Sequence, residues 1–167
     1  MRSEKNILSP VLRQRLILFA NTFIKDISYA EDVVQDVQLK LLTKEEIFLN
    51  VKNKEAFLFR MVRNRCLDLI KSKNANYLPL EVDMDEEIQD LMQHIENRDM
   101  SIVIKHLMQN LPEKQRNVIY LTDVEQMDSE EIEKIMALEA TAVRVNLSRA
   151  RKKIREQLLK ICAYGTS

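Results

Sequence analysis

Glycine is nearly absent from this chain of 167 residues: it occurs once, proline occurs three times and tryptophan not at all. Tight turns between β-strands depend on glycine, asparagine–glycine pairs and proline, so this scarcity argues against a fold built from many hairpins. The residues that dominate instead, such as leucine, isoleucine, lysine, glutamate and methionine, are tolerated well in helices. The composition therefore predicts an all-α protein.

Cysteine is scarce as well. Cys66 and Cys162 are far apart, and no CxxC pair or histidine cluster accompanies them. This pattern argues against a disulfide framework or a zinc site and fits a reducing compartment. The apolar positions near the N-terminus are interrupted by Arg13 and Arg15, so we expect neither a signal peptide nor a membrane span. The sequence predicts a cytoplasmic protein.

Motifs of catalysis and of metal binding are also missing. We find no glycine-rich phosphate loop, no nucleophile–histidine arrangement and no supported pair of catalytic carboxylates. His94 and His106 have no acidic or thiol partner at the spacing of metal ligands. We therefore expect a protein that is not an enzyme and that uses no cofactor.

The balanced charge, 26 Lys and Arg against 26 Asp and Glu, is an average over unlike segments. Residues 1–80 hold 14 cations and 9 acids, and residues 101–167 hold 11 cations and 9 acids. Residues 81–100, between them, hold 8 acids and one cation. We predict two small helical domains, 1–75 and 101–167, that are joined by an acidic linker, 76–100.

Helix-start signals and apolar spacing divide the first half into helices. Ser9 followed by Pro10 predicts one helix start, and Ser28 with Glu31 three residues later predicts a second. This second helix has an apolar stripe, which consists of Ala30, Val33, Val34, Val37 and Leu41. Its polar positions off that stripe are available to a partner: Asp32, Gln35 and Asp36. In the next helix, "FLFRMVRNR" alternates apolar residues with arginines.

The second half contains a helix-turn-helix pattern. Asp128 with Glu131 predicts the start of a short helix, and a break at 137–139 precedes a longer one. The longer helix has apolar residues at steps of four, three, four and four: Val143, Leu147, Ala150, Ile154 and Leu158. A short helix, a tight turn and a second helix with a cationic outer face are typical of DNA-binding domains.

Six cations lie off the apolar stripe of this longer helix: Arg144, Arg149, Arg151, Lys152, Lys153 and Arg155. Near its start, Arg144, Val145, Ser148 and Arg149 share the exposed side. A recognition helix reads bases with its N-terminal turns, while later cations such as Lys152 contact phosphates. A solvated helix end that carries cations is the simpler alternative. The short helix upstream favours DNA binding.

With both halves considered, the chain resembles a bacterial RNA polymerase sigma factor of the two-domain extracytoplasmic-function type. "YAEDVVQDVQLKLL" is similar to the helix that docks on core polymerase, and "NKEAFLFRMVRNRCLDLIKSK" to the segment that melts and reads the minus-ten promoter element. "SEEIEKIMALEATAVRVNLSRARKKI" resembles the reader of the minus-thirty-five element. The resemblance implies a transcription initiation factor whose partners are core RNA polymerase and promoter DNA, with an anti-sigma factor as a possible inhibitor.

Carried over to this chain, the resemblance implies roles for three sets of side chains. It implies that the upstream element meets Arg144, Val145, Ser148, Arg149 and Lys152. It implies that the minus-ten element meets Phe59, Arg60, Arg63 and Asn64, with Asn64 at a flipped-out base. It implies that the polymerase meets Asp32, Gln35 and Asp36.

Two aromatic residues and three substitutions need separate expectations. Phe57 stands in the place of a promoter-melting aromatic, yet Phe57 and Phe59 cannot both face one side of a helix, and we expect Phe57 to be the buried one. The chain departs from the family at Gln126, where glycine is common, at Thr141–Ala142, where Gly-Thr is frequent, and at Val145, which replaces a frequent serine. These departures affect individual contacts rather than the class.

Two other functions fit part of the sequence. A stand-alone, dimeric helix-turn-helix regulator would bind duplex DNA tightly without polymerase. A helical adaptor would offer its basic strip to an acidic protein and would have no promoter-dependent activity. Neither function needs "FLFRMVRNR" next to an acid-rich helix, so both are less favoured than the sigma factor.

Overall fold

The computed structural model describes residues 8–72 and 99–164, and within these ranges all regular structure is helical. This confirms the all-α prediction for the described residues. The first range contains α1 (Pro10–Ile24), α2 (Ile27–Thr43), α3 (Glu45–Leu49) and α4 (Lys54–Ser72). The second contains α5 (Met100–Gln109), α6 (Glu113–Ile119), a π-helical turn (Tyr120–Val124), α7 (Ser129–Met136) and α8 (Ala140–Tyr164). Among the described helices, none is long and apolar enough to cross a membrane.

The chain divides into two compact units. Among the described residues, one unit comprises 8–72 together with 130–137, and the other comprises 99–129 together with 138–164. The division thus groups α7 with the first unit, although the sequence suggested one continuous domain over 101–167. Apart from Asp99 and Met100, the predicted acidic linker, 76–100, lies outside the described residues. The domain boundaries remain a prediction.

The first two helices start on side-chain caps. Ser9 Oγ accepts a hydrogen bond from Leu12 N at 3.2 Å, and Pro10 follows at the first helical position, as predicted. The predicted cap Ser28 is wrong, because Asp26 Oδ1 accepts from the backbone N–H of Ser28 at 2.9 Å and of Tyr29 at 3.2 Å. The helix α2 therefore begins two residues earlier than expected, and Ser28 lies in its first turn.

The core of the first unit forms where α1, α2 and α4 pack against one another. Phe59 on α4 is fully buried, and its ring centroid lies 5.1 Å from that of Phe19 on α1. Phe57 is only half-buried, so the expectation that Phe57 would be the buried ring is wrong. Arg15 of α1 lies over the Phe59 ring at 5.7 Å and forms an ion pair of 3.1 Å with Glu55, which further joins α1 to α4.

The second unit has its own core between α5, α6 and α8. Buried residues from all three helices, and one from the link between α5 and α6, form it. They are Val103, Leu107, Met108, Leu111, Ile119, Ala150, Ile154 and Ile161. Arg116 on α6 caps the C-terminal end of α5. Its Nη1 donates to the carbonyl oxygens of Gln109 at 3.3 Å and of Leu111 at 3.2 Å. Burial lowers the pKa of this guanidinium.

The helix α6 continues into the π-helical turn. Glu125 N–H donates to the carbonyl oxygen of Tyr120, five residues earlier, at 3.1 Å, and Met127 N–H donates to Leu121 O at 2.9 Å. Leu121 is fully buried while Asp123, two residues later, is exposed. The π turn therefore keeps an apolar anchor inside and presents a carboxylate at the surface of the second unit.

Three residues of the described ranges other than glycine have left-handed backbone conformations. They are Lys25 (φ 56°), Gln126 (φ 54°) and Ala137 (φ 52°), and each follows the end of a helical segment. Glycine adopts this conformation without the clash that a Cβ causes, so a side chain here costs stability. At position 126, the glycine that the sequence resemblance implies would adopt this conformation without that cost.

Candidate nucleic-acid interface

The long helix α8 forms where the sequence predicted it. Ala137 turns the chain with its left-handed conformation, and α8 begins at Ala140 after the predicted break at 137–139. Val143 N–H donates to Glu139 O at 3.0 Å in the first turn. The predicted apolar stripe is confirmed, because every member is buried or half-buried: Val143, Leu147, Ala150, Ile154 and Leu158.

The opposite side of α8 is open to solvent. All five side chains that were expected to meet the upstream element are exposed there: Arg144, Val145, Ser148, Arg149 and Lys152. Arg144 Nη2 lies 3.4 Å from Thr141 Oγ1, so this guanidinium reaches back over the first turn of the helix. The helix start therefore offers two guanidinium groups and a hydroxyl at its surface, which are groups that can pair with base edges or phosphates.

Arg151 differs from the other cations of α8, since a carboxylate of the same unit holds it. Its Nη2 donates to Asp123 Oδ1 at 2.7 Å, and its Nε donates to Asp123 Oδ2 at 3.4 Å. This double hydrogen bond raises the pKa of Arg151. Asp123 was not among the residues singled out in the sequence, because a contact between residues 28 positions apart leaves no local pattern.

Three of the four side chains that were expected to meet the minus-ten element share one face of α4. Arg60 and Asn64 are exposed, and Arg63 between them is half-buried with Nη1 3.5 Å from Asn64 Oδ1. Spacings of three and four residues place all three on one side of the helix. Phe59 is a correction, because its ring is sealed in the core against Phe19 and is not available to a base.

An aromatic cluster lies at the start of α4. The ring centroid of Phe57 lies 6.3 Å from that of Phe48 on α3, and Lys54 Nζ lies 5.6 Å from the Phe48 centroid. Sequence reasoning identified Phe57 but missed Phe48 and Lys54. The five residues of α3 are too few to show a helical period, so no sequence signal marked Phe48 as its neighbour.

The helix α2 presents the residues that were expected to bind the polymerase. Asp32 and Gln35 are exposed, and Asp36 is half-buried beside Arg65. Two leucines on the same side were not among the residues expected to bind the polymerase, Leu39 and Leu42, which are 55% and 53% exposed. Leu39 follows Gln35 by four residues and Leu42 follows Leu39 by three, so both lie on the side of the helix that carries the polar residues. Exposed leucines that lie next to one another indicate a contact surface.

Family models match both parts of the chain. The model described as sigma-70 region 2 matches residues 11–76, which cover α1 from its second residue and all of α2, α3 and α4. The model described as sigma-70, region 4 matches residues 101–154, which cover α5 from its second residue, all of α6 and α7, and α8 as far as Ile154. Between them the two matches include every candidate residue of α2, α4 and α8.

Curated relatives match across most of their own length. The RNA polymerase sigma factor SigZ of Bacillus subtilis is 22% identical over 90% of this chain and 84% of the relative. The RNA polymerase sigma-E factor of Streptomyces avermitilis is 24% identical over 86% of this chain and 78% of the relative. The ECF RNA polymerase sigma factor SigW of Bacillus subtilis is 22% identical over 89% of this chain and 85% of the relative.

A solved structure shows the same fold. The sigma factor RpoE of Bartonella quintana, crystallised with the anti-sigma factor NepR, aligns with a TM-score of 0.65 and 20% identity. The alignment covers 89% of this chain and 92% of that one. Together with the two family matches and the named relatives, this shows that the chain belongs to the sigma-70 family of RNA polymerase sigma factors, in the extracytoplasmic-function group.

Proposed function

We propose that this protein binds core RNA polymerase and directs it to promoters, with α8 reading the upstream element and α4 the minus-ten element. The observation that carries the proposal is the exposed start of α8, where Arg144, Ser148 and Arg149 lie opposite a continuous buried stripe. Family membership supports the role in transcription initiation.

The division of labour on α8 follows from the chemistry of its side chains. Arg149 and Arg144 can each present two parallel N–H groups to guanine O6 and N7, and Val145, 39% exposed, can contact a thymine methyl. Lys152 carries a point charge one turn further along, which suits a phosphate rather than a base. Base reading is therefore assigned to the first three turns of α8 and sequence-independent attraction to the turns that follow.

The exposed face of α4 suits single-stranded DNA. An unpaired base can bond to an amide such as that of Asn64, while Arg60 and Arg63 supply charge for the phosphates. The half-buried ring of Phe57, which contacts Phe48, offers an aromatic surface at the start of the same helix. We assign the minus-ten role to Arg60, Arg63 and Asn64 without the buried Phe59, and we assign promoter melting to Phe57.

The exposed stripe of α2 is proposed as the polymerase contact. Asp32 and Gln35 supply polar groups, and Leu39 and Leu42 supply apolar area on the same side of the helix. Protein interfaces combine an apolar centre with a polar rim, and this stripe contains both. Asp36 contributes in part, since it also bonds to Arg65 within the first unit.

An inhibitory partner is part of the proposal. The related RpoE of Bartonella quintana was solved in complex with the anti-sigma factor NepR, and the fold of this chain is similar to that of RpoE. We propose that an anti-sigma factor binds this chain as well. Because the chain acts on RNA polymerase, its place of action is the cytoplasm, and we propose no catalytic activity of its own.

The experiment that tests this function is transcription in vitro. Purified chain is added to core RNA polymerase on a library of genomic fragments, and the transcript starts are mapped. We expect new starts that core enzyme alone does not produce and that share two sequence elements. Absence of any new start contradicts the proposal. Tight operator binding by a dimer without polymerase would instead support the stand-alone regulator.

A further inference from the structure

One cation of α8, on the same face as Arg144, is already bonded to a carboxylate. Arg151 follows Arg144 by seven residues, which is two helical turns, so the two arginines lie on the same face. The guanidinium of Arg151 is held by Asp123 through two hydrogen bonds, at 2.7 Å and 3.4 Å. The side chains of this pair are 48% and 41% exposed, so the pair lies at the surface and not in the core.

The position of Asp123 determines where the Arg151 guanidinium points. Asp123 lies in the π-helical turn after α6, between buried Leu121 and the left-handed Gln126. Burial of Leu121 anchors the turn in the core, and the Asp123 carboxylate reaches Arg151 of α8 from this turn. A bidentate arginine–carboxylate pair is directional and is stronger than a neutral hydrogen bond. The arginine is therefore oriented toward the protein.

We propose that Asp123 is a positioning residue that holds Arg151 away from the phosphate backbone and so limits binding of this unit to DNA of any sequence. The inference rests on the proposed DNA-binding role of α8. Its physical basis is that each phosphate neutralised by a cation releases counterions and adds affinity without regard to sequence. A neutralised Arg151 adds none, and the Asp123 carboxylate repels the phosphates nearby. Discrimination then depends on Arg144 and Arg149.

The salt dependence of binding measures this effect. If Asp123→Ala releases Arg151 to a phosphate, the slope of log K against log salt concentration steepens by about 0.9. Between 50 mM and 200 mM salt, that change corresponds to a roughly threefold greater loss of affinity than the wild type shows. If Asp123 had only a structural role, Asp123→Ala would change the free energy of unfolding and would leave the slope of log K against log salt concentration unchanged.

The test uses the chain bound to core polymerase, with a promoter fragment found by the transcription experiment and a copy whose upstream element is scrambled. Affinities are measured over a salt series for wild type, Asp123→Ala, Arg151→Ala and the double variant. We expect Asp123→Ala to steepen the slope on both fragments and to reduce the preference for the matched one. We expect Arg151→Ala alone, and the double variant, to keep the wild-type slope.

Three controls make the outcomes distinct. Asp123→Glu retains the carboxylate and should restore wild-type behaviour, and Glu113→Ala, which removes an exposed acid from α6, corrects for net charge. Lys152→Ala should make the slope shallower by about 0.9 if α8 lies on DNA. An unchanged slope for Asp123→Ala, or a shallower one for Arg151→Ala, overturns the inference. If the wild type has no preference between fragments and Lys152→Ala changes nothing, the proposed function itself fails.

Discussion

Arg65 of α4 and Asp36 of α2 form an ion pair within the first unit, with Nη2 and Oδ2 3.0 Å apart and a second bond from Nε at 3.1 Å. Asp36 was expected to bind the polymerase, and half of its side chain is still accessible. The same carboxylate thus joins two helices and borders the proposed docking stripe. Asp32 and Gln35 are exposed on the same helix, so the three residues should respond differently to substitution.

We expect Asp32→Ala and Gln35→Ala to weaken binding to core polymerase and to leave the free energy of unfolding nearly unchanged. Asp36→Ala should do both, with a loss of about 0.2–1 kcal/mol in stability, because the Arg65 pair is partly exposed. Titration with core polymerase and urea unfolding measure the two effects. Asp68→Ala, an exposed acid on α4, serves as the control. Equal polymerase affinity for Asp32→Ala and the wild type would remove α2 from the docking surface.

Substitution of the two phenylalanines of α4 should separate stability from promoter opening. Phe59→Ala leaves a cavity beside Phe19 and should lower the free energy of unfolding by about 3–5 kcal/mol. Phe57→Ala removes a half-buried ring and should cost less than this, while it reduces open-complex formation. Denaturant unfolding and permanganate footprinting of the promoter check the two variants. A larger loss of stability for Phe57→Ala than for Phe59→Ala would contradict the burial of Phe59 and the partial exposure of Phe57.

Glycine should stabilise the left-handed turns. We expect Ala137→Gly and Gln126→Gly each to raise the free energy of unfolding by up to about 1 kcal/mol, because the Cβ no longer clashes with the backbone. Ala142→Gly makes the same chemical change inside α8 and should lower stability by about 1 kcal/mol. Thermal unfolding of the three variants measures the signs. If Ala137→Gly lowers the free energy of unfolding as much as Ala142→Gly does, the left-handed conformation of Ala137 does not destabilise the protein.

Arg149→Ala should relax base preference in the upstream element. If the contact to a guanine is bidentate, the variant loses about 1–3 kcal/mol of discrimination at one base pair. Lys105→Ala, an exposed cation on α5, is the matched control and should keep the wild-type preference. Competition between matched and singly substituted promoters in the transcription assay gives the ratio. An unchanged ratio at every position would exclude Arg149 as a base reader.

The thiol of Cys66 should make stability depend on alkaline pH. Burial raises the pKa of Cys66 from 9.0 to about 12 in the folded protein, while the unfolded chain ionises near its ordinary value. The folded state therefore holds a proton that the unfolded state releases above pH 9. We expect the free energy of unfolding to fall between pH 9 and 12, with a contribution of about 1.4 kcal/mol per pH unit from this group.

Urea unfolding at several pH values, with Cys66→Ala as the reference, isolates this contribution. The reference variant loses some stability at every pH but should not show the extra decline. Thiol labelling gives a second readout, since exposed Cys162 should react in the native protein and buried Cys66 only after unfolding. Parallel pH profiles for the two proteins would contradict the assignment.

Local signals in the sequence were enough to predict several elements. Ser9 and Pro10 form a cap whose geometry depends only on neighbouring residues, and the structure confirms it. The spacing of Val143, Leu147 and Ala150 also predicted the buried side of α8, because a long periodic helix has only one apolar face. The exposed position of the arginines on α8 followed from the same spacing.

Features that depend on tertiary packing could not be predicted in this way. Asp26 and Ser28 are both good caps two residues apart, and local propensity does not choose between them. Phe57 and Phe59 both border the apolar side of α4. Phe59 is the buried one because it packs against Phe19 of α1, which is far away in the sequence. The Arg151–Asp123 pair likewise depends on how α6 and α8 pack together.

Lys25, Gln126 and Ala137 all have a Cβ and a left-handed backbone conformation, which short peptides seldom adopt. The local sequence alone therefore does not determine these bends. At Lys25 the packing of α1 against α2 supplies this difference in free energy. Chain reversal and core formation are therefore coupled in this protein. A peptide excised around Lys25 should lose the bend, and the bend should return only when α1 and α2 are both present to pack together.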